Sequence, residues 1–116
     1  MKIVIGSLLV FGLLLGARYA AADAAADFSL HCAQCHGRDG RGQTTIGKIF
    51  KIPDFTQSSW SSQTTPAKIH DTIENGAKDS SGKQLMPAFK DTFTADQITA
   101  LVEYVRHFSA QTKAEE

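Results

Sequence analysis

Cysteine is scarce in this sequence: its 116 residues hold two, Cys32 and Cys35. Two thiols three positions apart cannot form the multi-bridge framework that staples small secreted domains. Net charge is lacking too, with 12 Lys+Arg against 12 Asp+Glu. That removes the basic field on which nucleic-acid binders depend, so no nucleic-acid partner is expected. No run approaches the roughly 20 apolar residues that a membrane-spanning helix needs. Period-two alternation over a strand's length is missing, and so is any internal repeat. The length allows one small domain.

What is present begins with an address. Lys2 is followed by an uncharged, mostly apolar stretch from Ile3 to Ala17, then Arg18 and an alanine run. Ala20-Ala21-Ala22 before Asp23 fits the small-x-small pattern of a signal-peptidase site, and Ala24-Ala25-Ala26 before Asp27 offers a second. The bland alternative is a retained N-terminal anchor, for which the apolar run is short. No cysteine follows that run at a position suited to lipid attachment. Residues 1–22 are therefore expected to be a cleaved signal peptide and 23–116 the mature domain, exported to the periplasm. Cleavage removes two basic residues, Lys2 and Arg18, and leaves the mature chain slightly acidic.

A domain of about 90 residues buries only about two-thirds of the surface its open chain exposes. It gains from a staple, and with a disulfide framework ruled out a metal or cofactor is the natural candidate.

The mature chain reads as helical. Ala24 to about Ala33 is Ala-rich and predicts a first helix running into the cysteines. Residues 37–47 contain four glycines and read as loop; 49–60 read as irregular chain with one helical turn. Thr65-Pro66 starts a helix with Thr at the N-cap and Pro at N1; Ile69 and Ile73 share its face, and Asn75-Gly76 stops it. Residues 77–90 read as loop. Thr94-Ala95-Asp96-Gln97 is a capping box, with Phe93 and Ile98 set for a hydrophobic staple. Ile98, Leu101, Val105 and Phe108 then recur at helical spacing, and residues 111–116 read as a frayed polar tail.

The residues that carry chemistry are Cys32-Ala33-Gln34-Cys35-His36, a C-x-x-C-H sequence. This is the attachment signature of c-type haem. Two thiols one helical turn apart can reach two vinyl groups on one porphyrin edge, and the following histidine can bind the iron axially. Its second ring nitrogen then needs an acceptor, for which the Pro53 carbonyl is a candidate. A thioredoxin-type dithiol needs a βαβ context that is missing here. A zinc site needs four ligands, whereas His31, His36, His70 and His107 are scattered. A local disulfide is compatible with the spacing but leaves His36 unexplained.

Across the whole mature chain the sequence resembles the class I cytochromes c, the small bacterial monohaem type. Cys32 to Gly42 is similar to the family's haem-binding stretch and the glycine-rich loop after it. Phe28 stands where the family places an aromatic of the N-terminal helix. Ile73-Glu74-Asn75-Gly76 is similar to the helix end before the distal loop, and Leu101 to Arg106 to the C-terminal helix, with Tyr104 expected near Phe28. The family often has Gly where the terminal helices cross; here Ala25 is expected there. Met86-Pro87-Ala88-Phe89 is similar to the distal-ligand motif, which implies Met86 as sixth iron ligand. A lone methionine is usually core filler. Met86, however, is the only one besides the initiator, and it precedes a proline rather than lying on an apolar stripe. His70 is the runner-up ligand. The resemblance implies an all-α small cytochrome c fold, three to five helices wrapped around one covalently bound haem c. Cys32 and Cys35 would attach it, and His36 and Met86 would ligate its iron.

His/Met ligation favours ferrous iron and leaves no open coordination position, which points to one-electron transfer rather than catalysis. The expectation is a monomeric periplasmic carrier whose redox protein partners dock transiently at the haem edge. One rival is an electron-transfer subunit of a larger oxidase or dehydrogenase complex. The other is a ligand-binding or peroxidatic haem protein. Trp60, Arg38 and Lys48 are candidates to meet haem propionates, and Ile46, Ile52, Phe55, Leu85 and Phe89 to line the pocket.

Overall fold

The computed structural model describes residues 13–114, with side chains from 22 onward. The leader, residues 1–22, therefore lies mostly outside the described residues. Six helices and one two-stranded sheet are present among them. The order is α1 (Leu13–His31), α2 (Ala33–His36), α3 (Thr45–Phe50), α4 (Ser58–Gln63), α5 (Pro66–Asn75), β1 (Ala77–Lys78), β2 (Gln84–Met86) and α6 (Ala95–Ala114).

The longest helices, α1 and α6, cross, and α5 packs on α6. Phe28 on α1 is 2% exposed and Leu101 on α6 is 1% exposed. The Phe28 ring lies 5.2 Å from Tyr104 and 5.3 Å from Phe108. Aromatic contacts at such offset distances add to the area they bury. The small residue on the buried face of α1 is Ala24, four before Phe28 and so on the same side; Ala25 is only half-buried.

The helix ends form as their sequences predict. The Gln97 side chain accepts from Thr94 N at 2.8 Å while Thr94 Oγ1 accepts from Gln97 N at 3.2 Å, a closed capping box. Phe93 and Ile98 are both buried beneath it. Thr65 Oγ1 caps α5 by accepting from Lys68 N at 3.1 Å. Gly76 ends α5 at φ 77 and ψ −172, a conformation open essentially to glycine alone.

Four segments depart from the sequence expectation. Helix α1 begins at Leu13 rather than Ala24 and runs unbroken through Ala22. The glycine-rich stretch yields α3, because Thr44 caps it and Gly47 sits where a Cβ would strike the Gly42 and Cys35 carbonyls. That glycine answers a packing demand and does not break the helix. Residues 77–86 form a hairpin, with Ala77 opposite Met86 and Lys78 opposite Gln84. A two-residue ladder is too short to leave a period-two signal. Finally, α6 continues to Ala114, where the Thr112 hydroxyl lies 2.9 Å from the Thr56 carbonyl and 3.2 Å from the Phe108 and Ser109 carbonyls of its own helix. Residues 115 and 116 lie outside the description.

Candidate functional site

A cavity of about 730 Å³ opens between α1–α3 on one side and α5, the hairpin and α6 on the other. Cys32, Cys35, His36 and Met86 all line it. So do Ile52, Pro53, Phe55, Trp60, Leu85 and Phe89, whereas Ile46 does not. The size falls within the roughly 300–1,000 Å³ of cofactor sites, and the lining is mostly apolar with few polar groups, as such sites are.

The C-x-x-C-H segment bends off the end of α1. The amides of Cys35 and His36 both donate to the Cys32 carbonyl, at 3.2 and 2.9 Å, which winds the thiols and the imidazole onto one turn. Both thiols are free and half-buried. Burial, then the Asp27 carboxylate and then Cys35, push the Cys32 thiol up to about 11. A thiol so disposed stays protonated at neutral pH, unlike the activated thiolates of dithiol redox enzymes.

His36 is the most informative side chain. Burial lowers its pKa to about 4, so the imidazole is neutral at physiological pH, the form in which histidine binds metals. Its ring stacks on Phe55 at 4.8 Å. Its Nδ1 is buried with no hydrogen-bond partner. Pro53 lines the same cavity, but the expected bond from His36 to its carbonyl is not formed. A neutral imidazole on the wall of an apolar cavity, beside two thiols, fits an iron porphyrin, while its Nδ1 still lacks the acceptor expected for it. No cluster of three or more His, Cys, Asp or Glu suited to a bare metal ion occurs among the described residues.

Met86 ends β2 instead of lying in a loop. Gly76 passes so close that a Cβ there would come within 2.5 Å of the Met86 carbonyl. That carbonyl also accepts from Gln84 Nε2. Beyond Pro87, Phe89 N donates to Ile73 O at 2.9 Å and Lys90 N to Glu74 O at 3.2 Å. The Met86 segment is thus held by β1 up to Met86 and by α5 beyond Pro87.

Residues 20–105 match the family model described as cytochrome c oxidase, cbb3-type, subunit III. The chain belongs to this family. Such a cytochrome c domain transfers electrons and carries covalently bound haem c. The chain is 29% identical over 92 residues to the cbb3-type cytochrome c oxidase subunit FixP of Sinorhizobium medicae. That match takes in 76% of this chain but 30% of the relative, so the chain spans under a third of that protein's length. Among solved structures it is similar to the KustC0563 c-type cytochrome, with a TM-score of 0.65 and 29% identity. The superposition covers 73% of this chain and 95% of that one. A mutant of the same cytochrome matches with a TM-score of 0.65 and 31% identity, over 74% and 98% of the two chains.

The remaining candidates divide. In this cytochrome c domain Trp60 lines the cavity and packs 4.6 Å from Phe55. Arg38 and Lys48 fall away from it; the cations on the lining are Lys51 and Lys68. His31 also lines the cavity, edge-on to Phe93 at 5.1 Å. His70 stands away from it, 3.8 Å from Glu74, and His107 is exposed. Sequence reasoning missed Phe50, Ile69, Ile73, Leu101 and Val105 as lining residues. The last four were visible as apolar helix positions, but nothing in their spacing says that a core face also borders a cofactor.

Proposed function

We propose that the mature chain is an exported, non-enzymatic one-electron carrier domain. Its haem is bonded to Cys32 and Cys35 and ligated by His36 and Met86. The observation that carries this reading is the convergence of all four side chains on one apolar cavity, with His36 neutral. When bound, the haem supplies a reversible Fe(III)/Fe(II) couple. The chain's own residues do the rest. Cys32 and Cys35 fix one edge of the group. His36 and Met86 hold their donor atoms on elements that cannot drift, α2 and the pinned end of β2. Phe55, Leu85, Phe89 and Leu101 exclude water, which limits solvent reorganisation at each transfer.

Export rests on the charged start, the short apolar run and the alanine sites before Asp23 and Asp27. Cleavage after Ala22 leaves Asp23–His31 as the first helix. No helix among the described residues is long and apolar enough to cross a membrane.

The test is spectroscopic. Mature protein made in a host able to attach haem should be red, show c-type bands when reduced, and keep its pigment in acidified organic solvent. Colourless protein, or pigment lost to the solvent, overturns the reading.

The FixP match favours a second reading: an electron-transfer subunit held within a larger oxidase. Size-exclusion of a native extract separates the two. The free carrier elutes as a monomer, the subunit with its complex. Ready binding of cyanide or carbon monoxide by the wild-type protein would instead indicate a peroxidatic or ligand-binding haem.

A further inference from the structure

Helix α2 is a single turn, so its carbonyls must find partners outside it. Gly37 N takes the Ala33 carbonyl at 2.8 Å, and Gly42 N takes that of His36 at 2.7 Å. The Cys35 carbonyl is taken by a side chain: Thr44 Oγ1 donates to it at 2.6 Å. The same hydroxyl accepts from Gly47 N at 2.8 Å as the N-cap of α3. A threonine hydroxyl has one proton, and here it is committed to Cys35 while a lone pair serves Gly47. The fit beneath it is tight. A Cβ at Gly47 would collide with the Gly42 and Cys35 carbonyls, so the first turn of α3 lies directly on the end of α2.

We propose that Thr44 is a positioning residue for the haem's proximal side. Its hydroxyl clamps the turn that carries Cys35 and His36 against α3 and so fixes where the imidazole stands. The inference rests on the reading of His36 as iron ligand. A helix cap alone needs only the bond from Gly47; the bond to Cys35 is what reaches the haem-bearing turn. Without it the turn loosens, water gains access to the iron, and the ferric state is favoured.

The test compares holoproteins by midpoint potential, ferric sulfur-to-iron charge-transfer absorption and Tm. Thr44→Ala and Thr44→Val should lower both the potential and Tm. Thr44→Ser, which keeps the hydroxyl, should restore the potential. Thr65→Ala is the control: it removes the equivalent cap from α5, where the hydroxyl accepts from Lys68 N, and should lower Tm with the potential unchanged. Wild-type potential in Thr44→Ala and Thr44→Val despite a lowered Tm overturns the proposal and leaves Thr44 a helix cap only. If neither variant matures, the Thr44 hydroxyl proton of wild-type holoprotein decides by NMR. It should exchange slowly with water because it is held by the Cys35 carbonyl, and exchange at the rate of a free hydroxyl overturns the clamp. Wild-type protein that carries haem without an imidazole ligand overturns the parent reading instead, and is seen before any variant is made.

Discussion

At the scale of single residues, Met86 and Asp54 make the sharpest predictions. On the proposed ligation, removing the Met86 thioether takes away the ligand that favours ferrous iron. Met86→Ala should lower the midpoint potential by a sizeable part of the roughly 0.8 V that axial ligands command across haem proteins. It should also admit carbon monoxide to the reduced protein, measured by the shift of the main visible band. Unchanged ligand binding would mean that Met86 is off the iron. Asp54 organises the turn before α4. Its Oδ1 accepts from Thr56 N at 2.9 Å and from Thr56 Oγ1 at 2.6 Å. Burial alone would raise its pKa, but the Thr56 and Gln57 hydrogen bonds and the Arg41 charge together hold it below the usual 3.8. A carboxyl held below its unfolded value stabilises the fold above that value, and the effect is lost as pH falls through the folded pKa. The Tm difference between wild type and Asp54→Ala should therefore be constant from neutral pH down to about 4 and shrink below it.

At the scale of elements, the capping box of α6 and the glycine after α5 carry different burdens. Thr94→Ala leaves the Gln97 amide unpartnered and should cost about 1 kcal/mol by denaturant titration, with the potential unmoved. Gly76→Ala is a harsher change. Its φ of 77 disfavours any side chain, and a methyl there meets the Met86 carbonyl, the Gln84 side chain and Ala88 N. The β1–β2 ladder should open, so that loss of stability is accompanied by weakening of the sulfur-to-iron charge-transfer band. A stable Gly76→Ala with an intact band would show that the hairpin does not hold Met86.

At the scale of the whole molecule, the cavity governs stability. A dry apolar void costs a folded protein about 24 cal/mol per Å³. A cavity of about 730 Å³ therefore cannot stay both empty and dry in a small domain of marginal stability. Without its haem the domain must therefore collapse or flood. Replacing both proposed attachment residues, Cys32→Ala with Cys35→Ala, should give a protein that keeps part of its far-UV helicity but loses fixed near-UV signals and cooperative melting. A cooperative, native-like melt of that variant would show that the protein core suffices by itself.

The sequence by itself determined the cofactor chemistry and the well-capped helices. C-x-x-C-H, the Thr65-Pro66 start, the Gly76 stop and the capping box at Thr94 are local devices, each complete within a few residues, so they can be read without a fold. Only the tertiary structure decided what depends on distant partners. Thr112 brings the end of α6 within hydrogen-bond distance of the Thr56 carbonyl, 56 residues away in the chain. Gly47 permits a helix because the end of α2 leaves no room for a side chain. Lys51 and Lys68, rather than Arg38 and Lys48, reach the cavity because α3 and α5 turn those positions toward it. Hydrogen bonds between residues far apart in the chain leave no periodicity behind, and the shape of a cavity belongs to all its walls at once.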